Sequence, residues 1–161
     1  EKARVAGDKE KAGTFYQVLK AVGVDTPVEE LMKTTGIGSV LYAKRPGDGS
    51  AREYAASCQK VLGGLANICI VYATKRYRSN CVNWGILPFT CPEKEIVLEP
   101  GEYLYLPGIR KAVEDGATRF TAKVIGKDGA VRDLELELNG VTEAEKKVLL
   151  AGSLINPYKE A

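Results

Sequence analysis

Apolar residues recur at helical spacing in some parts of the chain and at strand spacing in others, and this pattern predicts the elements. One apolar stripe predicts a first helix, which Gly23 ends. Its members are Ala12, Phe15, Leu19 and Val22. The run Thr26-Pro27-Val28-Glu29 predicts a second helix that ends near Thr35. Thr26 is its expected cap, and Glu29 would close a capping box.

The following stretch predicts a strand–helix–strand unit. Residues 39–43 form the first strand. Residues 65–72 form the second, and their nearly continuous apolar character is typical of a parallel strand buried on both faces. Between the strands, a helix is predicted to begin at Ser50, where a cap belongs. The apolar positions of this helix are Ala51, Tyr54, Ala55, Cys58, Val61 and Leu62.

A further helix is predicted over residues 74–84, with a short strand after it over 86–89. Tyr77, Cys81 and Trp84 share one apolar face of this helix and are expected in the core. Its basic residues are Lys75, Arg76 and Arg78. Such a short basic run favours a solvated face or a contact with a partner domain over a nucleic-acid contact.

The second half of the chain predicts antiparallel pairing. Residues 103–106 read as extended, and residues 109–115 read as a helical turn. Alternating apolar positions then predict two strands joined by a hairpin at Lys127-Asp128-Gly129. These positions are Phe120, Ala122, Val124, Leu134, Leu136 and Leu138.

The last predicted helix starts with a capping box of Thr142 and Glu145 and ends near Leu150, before Gly152. Together the elements predict one α/β domain with a mixed sheet flanked by helices.

Composition and charge agree with a single domain. The chain has 161 residues, of which 45% are hydrophobic, and this is enough for one core. The net charge of +2 predicts no general attraction to nucleic acid or to an anionic membrane. The longest apolar run, residues 68–73, is too short to span a bilayer, and the start of the chain has no signal-peptide core. We therefore expect a soluble, cytoplasmic protein.

The cysteine pattern argues against a metal site within this chain. Cys58, Cys69, Cys81 and Cys91 include no C-x-x-C pair, and the chain has no histidine. The usual zinc spacings are therefore excluded. Because these cysteines fall mainly on apolar faces, we expect buried, reduced thiols and no metal ligands.

The run from Gly47 to Glu53 is the strongest candidate for chemistry. It places Gly49, Ser50 and Arg52 at the predicted start of a helix, where backbone N–H groups favour an anion. The structural alternative is a capping box, in which Ser50 and Glu53 satisfy each other's backbone N–H groups. A phosphate-binding loop of unrelated type is weaker, because the Lys-[Ser/Thr] ending of a P-loop is missing.

Several ordered motifs resemble the aconitase and isopropylmalate isomerase family at its small swivelling domain. The matching segments are Gly47 to Glu53, Leu62-Gly63-Gly64, Ala66 to Ala73, Arg76-Tyr77-Arg78-Ser79-Asn80, Gly85-Ile86-Leu87-Pro88-Phe89 and Leu149 to Lys159. The resemblance implies a single swivelling β/β/α domain over residues 1–161. In it a helical N-terminal segment, 1–37, precedes the core of the domain, 38–161.

The family resemblance also implies a function, that of a hydro-lyase acting on a hydroxy di- or tricarboxylic acid. Ser50 matches the catalytic base, and Arg52 matches the arginine that pairs with a substrate carboxylate. Gly49 and Ala51 fall at substrate-binding positions. The 4Fe-4S cluster of the family lies in other domains of the protein, which would be this chain's partners. The isolated domain is therefore expected to be inactive.

Two departures from the family pattern bear on the substrate and the assembly. Ala51 stands where aconitases have a second serine, which puts citrate as the substrate in doubt. Residues 1–46 lack the T-D-x-I-x-P-like segment with which free-standing isopropylmalate dehydratase small subunits begin, and this favours the C-terminal domain of a divergent aconitase-like hydratase. The alternative is a non-catalytic binding or regulatory module, including one that contacts RNA, and the change at Ala51 motivates it.

Overall fold

The structure is a computed structural model that describes residues 2–92 and 98–156. It is a mixed α/β fold with one six-stranded sheet of order β1-β2-β3-β6-β5-β4. The strands are β1 (Ser39–Ala43), β2 (Gly64–Cys69), β3 (Leu87–Thr90), β4 (Tyr103–Tyr105), β5 (Arg119–Ile125) and β6 (Val131–Glu137). The helices are α1 (Lys2–Val5), α2 (Lys9–Tyr16), the 3-10 helix Gln17–Val22, α3 (Val28–Thr34), α4 (Arg52–Val61), α5 (Lys75–Asn83), α6 (Ile109–Glu114) and α7 (Glu143–Ala151). The predicted fold class is confirmed.

The chain divides into two compact units, and the first consists of Glu1–Gly38, Leu98–Pro107 and Thr121–Leu134. Its core cluster is formed by Ala12, Tyr16, Leu19 and Leu31. Strand β4 pairs antiparallel with β5 in this unit, with Leu104 opposite Val124.

The second unit consists of Ser39–Val97, Gly108–Phe120 and Glu135–Ala161. It contains the predicted strand–helix–strand unit, and β1, β2 and β3 run parallel to one another. Strand β3 pairs antiparallel with β6 through Thr90 and Glu137. Nearly every residue of β2 is buried, as its apolar run predicted. The carboxyl ends of three parallel strands therefore lie at one edge of the sheet, where ligands bind in many open α/β sheets.

The N-terminal helical segment differs from its prediction. In place of the single expected helix, the chain forms α1, α2 and a 3-10 helix. Phe15, a member of the predicted apolar stripe, is 47% exposed, whereas Tyr16 is buried. The Tyr16 hydroxyl donates to the carbonyl of Thr35 at 2.6 Å, which explains the inward position of that ring. The predicted Thr26 cap is also wrong, because Pro27 is the N-cap of α3 and Glu29 bonds Lys9 at 2.9 Å.

The C-terminal elements match their predictions closely. The capping box of Thr142 and Glu145 is formed at the start of α7, and Gly152 ends that helix in the left-handed conformation. Leu134, Leu136 and Leu138 alternate into the core, as the period of two required. The part of the family-like closing segment from residue 157 to 159 lies outside the described residues.

Candidate functional site

The candidate turn follows the carboxyl end of β1 and leads into α4. It is tied to the residues that follow the carboxyl end of β2, because Ile70 and Val71 donate to the carbonyl of Lys44. Ala73 also donates to the carbonyl of Pro46, at 2.9 Å. The turn is thus held at the edge of the parallel strands, with Asp48, Gly49, Ser50 and Ala51 all exposed.

Gly47 is the anchor of this turn. Its carbonyl accepts hydrogen bonds from Arg52 Nε at 3.1 Å and from Thr74 Oγ1 at 3.0 Å. Its φ is +93°, and a Cβ atom at this position would lie 2.5 Å from the side chain of Tyr77. Only glycine combines that conformation with such a close approach. The anchor depends on α5, which the sequence motif alone did not indicate.

Arg52 has a structural role in the turn. Its Nη2 donates to the carbonyl of Asp48 at 3.4 Å, beside the Nε bond to Gly47. The guanidinium thereby bridges two successive carbonyls and fixes the backbone immediately before Gly49 and Ser50. Sequence reasoning chose Arg52 for substrate alone and missed this contact.

The predicted Ser50–Glu53 capping box is absent, which corrects the interpretation of Ser50 as the helix cap. Helix α4 begins at Arg52, its N-cap is Ala51, and no side chain in the described ranges 2–92 and 98–156 caps it. The reason is that Glu53 is bonded elsewhere. Its carboxylate accepts from Asn80 Nδ2 and, at 2.6 Å, from Trp84 Nε1, which ties α4 to α5.

Helix α4 bonds polar side chains to neighbouring elements and exposes its predicted apolar stripe. Besides Glu53, Gln59 donates to the side chain of Asn67, and Lys60 donates to the carbonyl of Gly85 at 3.4 Å. Only Ala56 of the helix is fully buried. The whole predicted apolar stripe is exposed, and we call it the α4 outer face. It consists of Ala51, Tyr54, Ala55, Cys58, Val61 and Leu62.

The exposure of the α4 outer face corrects the expectation that Cys58 is buried. Tyr54 is 74% exposed, Val61 79% and Leu62 81%. All four cysteines are free, but only Cys69, Cys81 and Cys91 are buried. The periodicity of the stripe identified the helix correctly and gave no information on which side of it the core lies.

A buried polar cluster lies beneath the turn, between β2 and α5. Asn67 is fully buried and donates to Tyr77 Oη at 3.1 Å and to Cys81 Sγ at 3.3 Å. Burial raises the pKa of Tyr77 to about 12 and the pKa of Cys81 to about 11. These groups therefore stay neutral near pH 7 and act as support for Gly47 through Tyr77. The apolar pattern of β2 did not distinguish Asn67 as a structural residue.

The basic residues of α5 are partly engaged within this unit. Arg78 Nη1 pairs with Glu145 at 3.2 Å, and Nη2 donates to the carbonyl of Asn139 at 3.0 Å. Lys75 and Arg76 are exposed, as expected for a solvated face. Arg78 therefore connects α5 to α7.

Among the residues that the structure describes, no group of three or more cysteine, aspartate or glutamate side chains is placed to hold a metal ion. No helix in this part of the chain has the length and apolar character needed to cross a bilayer.

Comparisons with known proteins connect this chain to a family. No family model matches the chain. Over 95 residues it is 36% identical to the homoaconitase small subunit of Thermus thermophilus, a match that covers 58% of each chain. Over 110 residues it is 31% identical to aconitate hydratase A of Streptomyces viridochromogenes, a match covering 66% of this chain and 12% of that protein. The chain thus spans little more than half of the first relative and a small part of the second.

A solved structure agrees with the sequence relatives. The crystal structure of 3-isopropylmalate dehydratase from Methanocaldococcus jannaschii superposes with a TM-score of 0.54 and 26% identity. The superposition covers 86% of this chain and 72% of that one. By these similarities of sequence and fold, the chain is related to the aconitase and isopropylmalate isomerase family.

Proposed function

We propose that this chain supplies the serine base and the carboxylate-binding arginine of a hydro-lyase that acts on a small hydroxy di- or tricarboxylic acid. The observation that carries the proposal is the position of Ser50. It lies exposed on an anchored turn at the carboxyl end of a parallel strand, in a chain whose relatives are named as a homoaconitase small subunit, an aconitate hydratase and a 3-isopropylmalate dehydratase. A dehydration removes a proton from one carbon while hydroxide leaves its neighbour.

A serine acts as a base only where its alkoxide is stabilised. Helix α4 starts just beyond Ser50, and no side chain of the described residues caps it. Its first backbone N–H groups therefore face the turn without a hydrogen bond to a capping side chain. Such N–H groups, together with the positive end of the helix dipole, stabilise an oxyanion beside them. The missing capping box therefore favours the proposed chemistry, because a capped helix would have used these donors.

Arg52 is proposed to bind a substrate carboxylate. A guanidinium has five N–H donors, of which two here bond the carbonyls of Gly47 and Asp48. The remaining donors suit a planar carboxylate better than lysine would. At Gly49, no atom of the described residues other than Gly49 and its chain neighbours lies within 4 Å of the place a Cβ would occupy, so a ligand can approach the backbone closely.

Ala51 is proposed to set the choice of substrate. Its methyl group offers no hydrogen bond where the family's second serine would, so we expect an acid other than citrate. Candidates follow from the relatives' names: 3-isopropylmalate is a hydroxy acid that can be dehydrated, and aconitate and homoaconitate are unsaturated acids that can be hydrated in the reverse direction.

The proposal assigns the 4Fe-4S cluster and the rest of the site to a partner. When bound there, the cluster would accept the departing hydroxide as a Lewis acid. One relative is named as a small subunit and another matches over 12% of its length, so both a separate subunit and a further part of the same polypeptide are compatible. The single swivelling domain and the cytoplasmic location remain predictions.

The test is steady-state kinetics of the complete hydratase with the three candidate acids. Ser50→Ala should lower kcat by a factor on the order of 10² to 10⁴ with little change in KM, because it removes the base. Arg52→Lys should mainly raise KM. Ser57→Ala is the matched control, since among the described residues the Ser57 hydroxyl bonds only the carbonyl of Tyr54, within α4. Wild-type kcat in Ser50→Ala would refute the assignment.

A further inference from the structure

We propose that the α4 outer face is the docking surface for the polypeptide that completes the hydratase active site. The inference rests on the proposed function, since it concerns the partner of the same site. It adds which surface of this chain binds that partner, and it predicts that Tyr54, Val61 and Leu62 become buried on assembly.

The first argument is the orientation of α4. An amphipathic surface helix places its apolar stripe against the core, whereas the apolar stripe of α4 is exposed. The polar side chains of Glu53, Gln59 and Lys60 instead bond α4 to its neighbours in the same unit. These specific polar contacts fix the rotation of the helix. The apolar outer face is therefore the orientation that the unit stabilises, and it leaves Tyr54, Val61 and Leu62 exposed on one side of the helix.

The second argument is area, which favours a partner that covers more than α4 itself. A helix of ten residues is about 15 Å long and about 10 Å across, so its outer half presents on the order of 250 Å². Stable interfaces bury about 800 Å² on each partner. Two copies meeting through α4 alone would fall well short of that value. A partner that also covers the adjoining turn from Gly47 to Ser50 gains area and closes the candidate site at once.

The docking mode follows from the spacing. Tyr54, Cys58 and Val61 lie three and four residues apart, with Leu62 beside Val61, so the partner should present an apolar groove that receives a helix. We expect few charged residues at the centre of that groove, because the α4 outer face has none.

Cys58 provides a direct probe, because it lies on the α4 outer face and the other three thiols are buried. Cys69 and Cys81 serve as slow references, since burial raises the pKa of each to about 11 and leaves on the order of 0.1% thiolate at pH 8. The experiment measures iodoacetamide labelling of each cysteine by mass spectrometry. It compares the 161-residue chain alone with the same chain assembled with the rest of the hydratase.

We expect Cys58 of the chain alone to react at least ten-fold faster than Cys69 and Cys81, and to slow at least ten-fold on assembly. Leu62→Lys should weaken binding to the partner at least ten-fold and restore fast labelling of Cys58 in the presence of the partner. The matched control is Val131→Lys, at an exposed apolar position in the first unit, which should leave both unchanged.

Three outcomes would overturn the proposal. Equal Cys58 rates before and after assembly would show that the partner binds elsewhere. A rate that falls as the concentration of the chain rises would identify a second copy as the occupant. Slow labelling at every concentration would show that the chain covers its own helix. Protection of Cys58 with full activity in Ser50→Ala would refute the proposed function alone, whereas loss of activity without protection would refute the docking surface alone.

Discussion

Helices α4 and α5 lie side by side in one unit, yet they use their apolar residues in opposite ways. Helix α5 is capped by the Thr74 side chain and buries Tyr77, Cys81 and Val82. Helix α4 has no side-chain cap from the described residues, buries only Ala56 and exposes its apolar stripe. Helix α5 thus packs into the unit and supports it, whereas α4 has a first turn that no described side chain caps and an outer face that is exposed.

This difference explains how an exposed turn can be held in place. Tyr77 of α5 packs against Gly47, and Asn67 of β2 holds the Tyr77 hydroxyl from below. Order at the turn therefore comes from α5 and β2, so the start of α4 needs no cap of its own. In this account, the donors that a cap would occupy are left for substrate.

The largest expected effect comes from the contact between the turn and α5. Gly47→Ala should destabilise the protein by about 3–5 kcal/mol, because it combines strain at a positive φ with a clash against Tyr77. Gly49→Ala is the control, since a Cβ there meets open space, and it should change stability by less than about 1 kcal/mol. Urea unfolding of both variants measures the difference. Similar losses in the two would show that the turn is not anchored through Gly47.

The same substitution in the two helices tests their opposite orientation. Val82→Ala in α5 should cost about 2 kcal/mol of unfolding free energy, because Val82 is 1% exposed. Val61→Ala in α4 should cost less than about 0.5 kcal/mol in the chain alone, because Val61 is 79% exposed. A large loss at Val61 would mean that the α4 outer face is packed in the folded chain.

A third prediction concerns alkaline pH and the buried thiol of α5. Burial raises the pKa of Cys81 from 9.0 to about 11, so the folded state holds its proton more tightly than the unfolded state. The stabilisation is present below pH 9 and is lost as the pH rises to 11, by up to about 1.4 kcal/mol per pH unit. Cys81→Ala should have a shallower decline in unfolding free energy between pH 9 and 11 than the wild-type protein. An unchanged slope would contradict the burial of this thiol.

The sequence predicted most of the elements of this unit, and it predicted α5 best. Thr74 and the apolar stripe of α5 act within a few residues of each other, so local rules were sufficient. The same rules failed at Ser50 and Glu53, because the partners of Glu53 are Asn80 and Trp84, far along the chain. A glutamate three residues after a serine can form a capping box, but tertiary contacts decide whether it does.

The candidate site was predictable in part for the same reason. The motif from Gly47 to Arg52 and the family resemblance located the turn, and the comparisons with known proteins confirmed the relationship. The contacts of Gly47 with Thr74 and Tyr77 could not be read from the sequence, since they depend on how β2 delivers α5 to the turn. The outward direction of the α4 stripe was missed because periodicity shows which residues share a face of the helix, but not whether that face contacts the core or solvent.

The most direct test of the account follows proton transfer at Ser50 rather than overall turnover. The complete hydratase is incubated in D₂O with its active acid, and incorporation of deuterium at the carbon that loses the proton is followed by NMR. The account predicts that Ser50→Ala abolishes this exchange while Ser57→Ala and, at saturating substrate, Arg52→Lys retain it. Exchange at the wild-type rate in Ser50→Ala would show that another group removes the proton and would contradict the central claim.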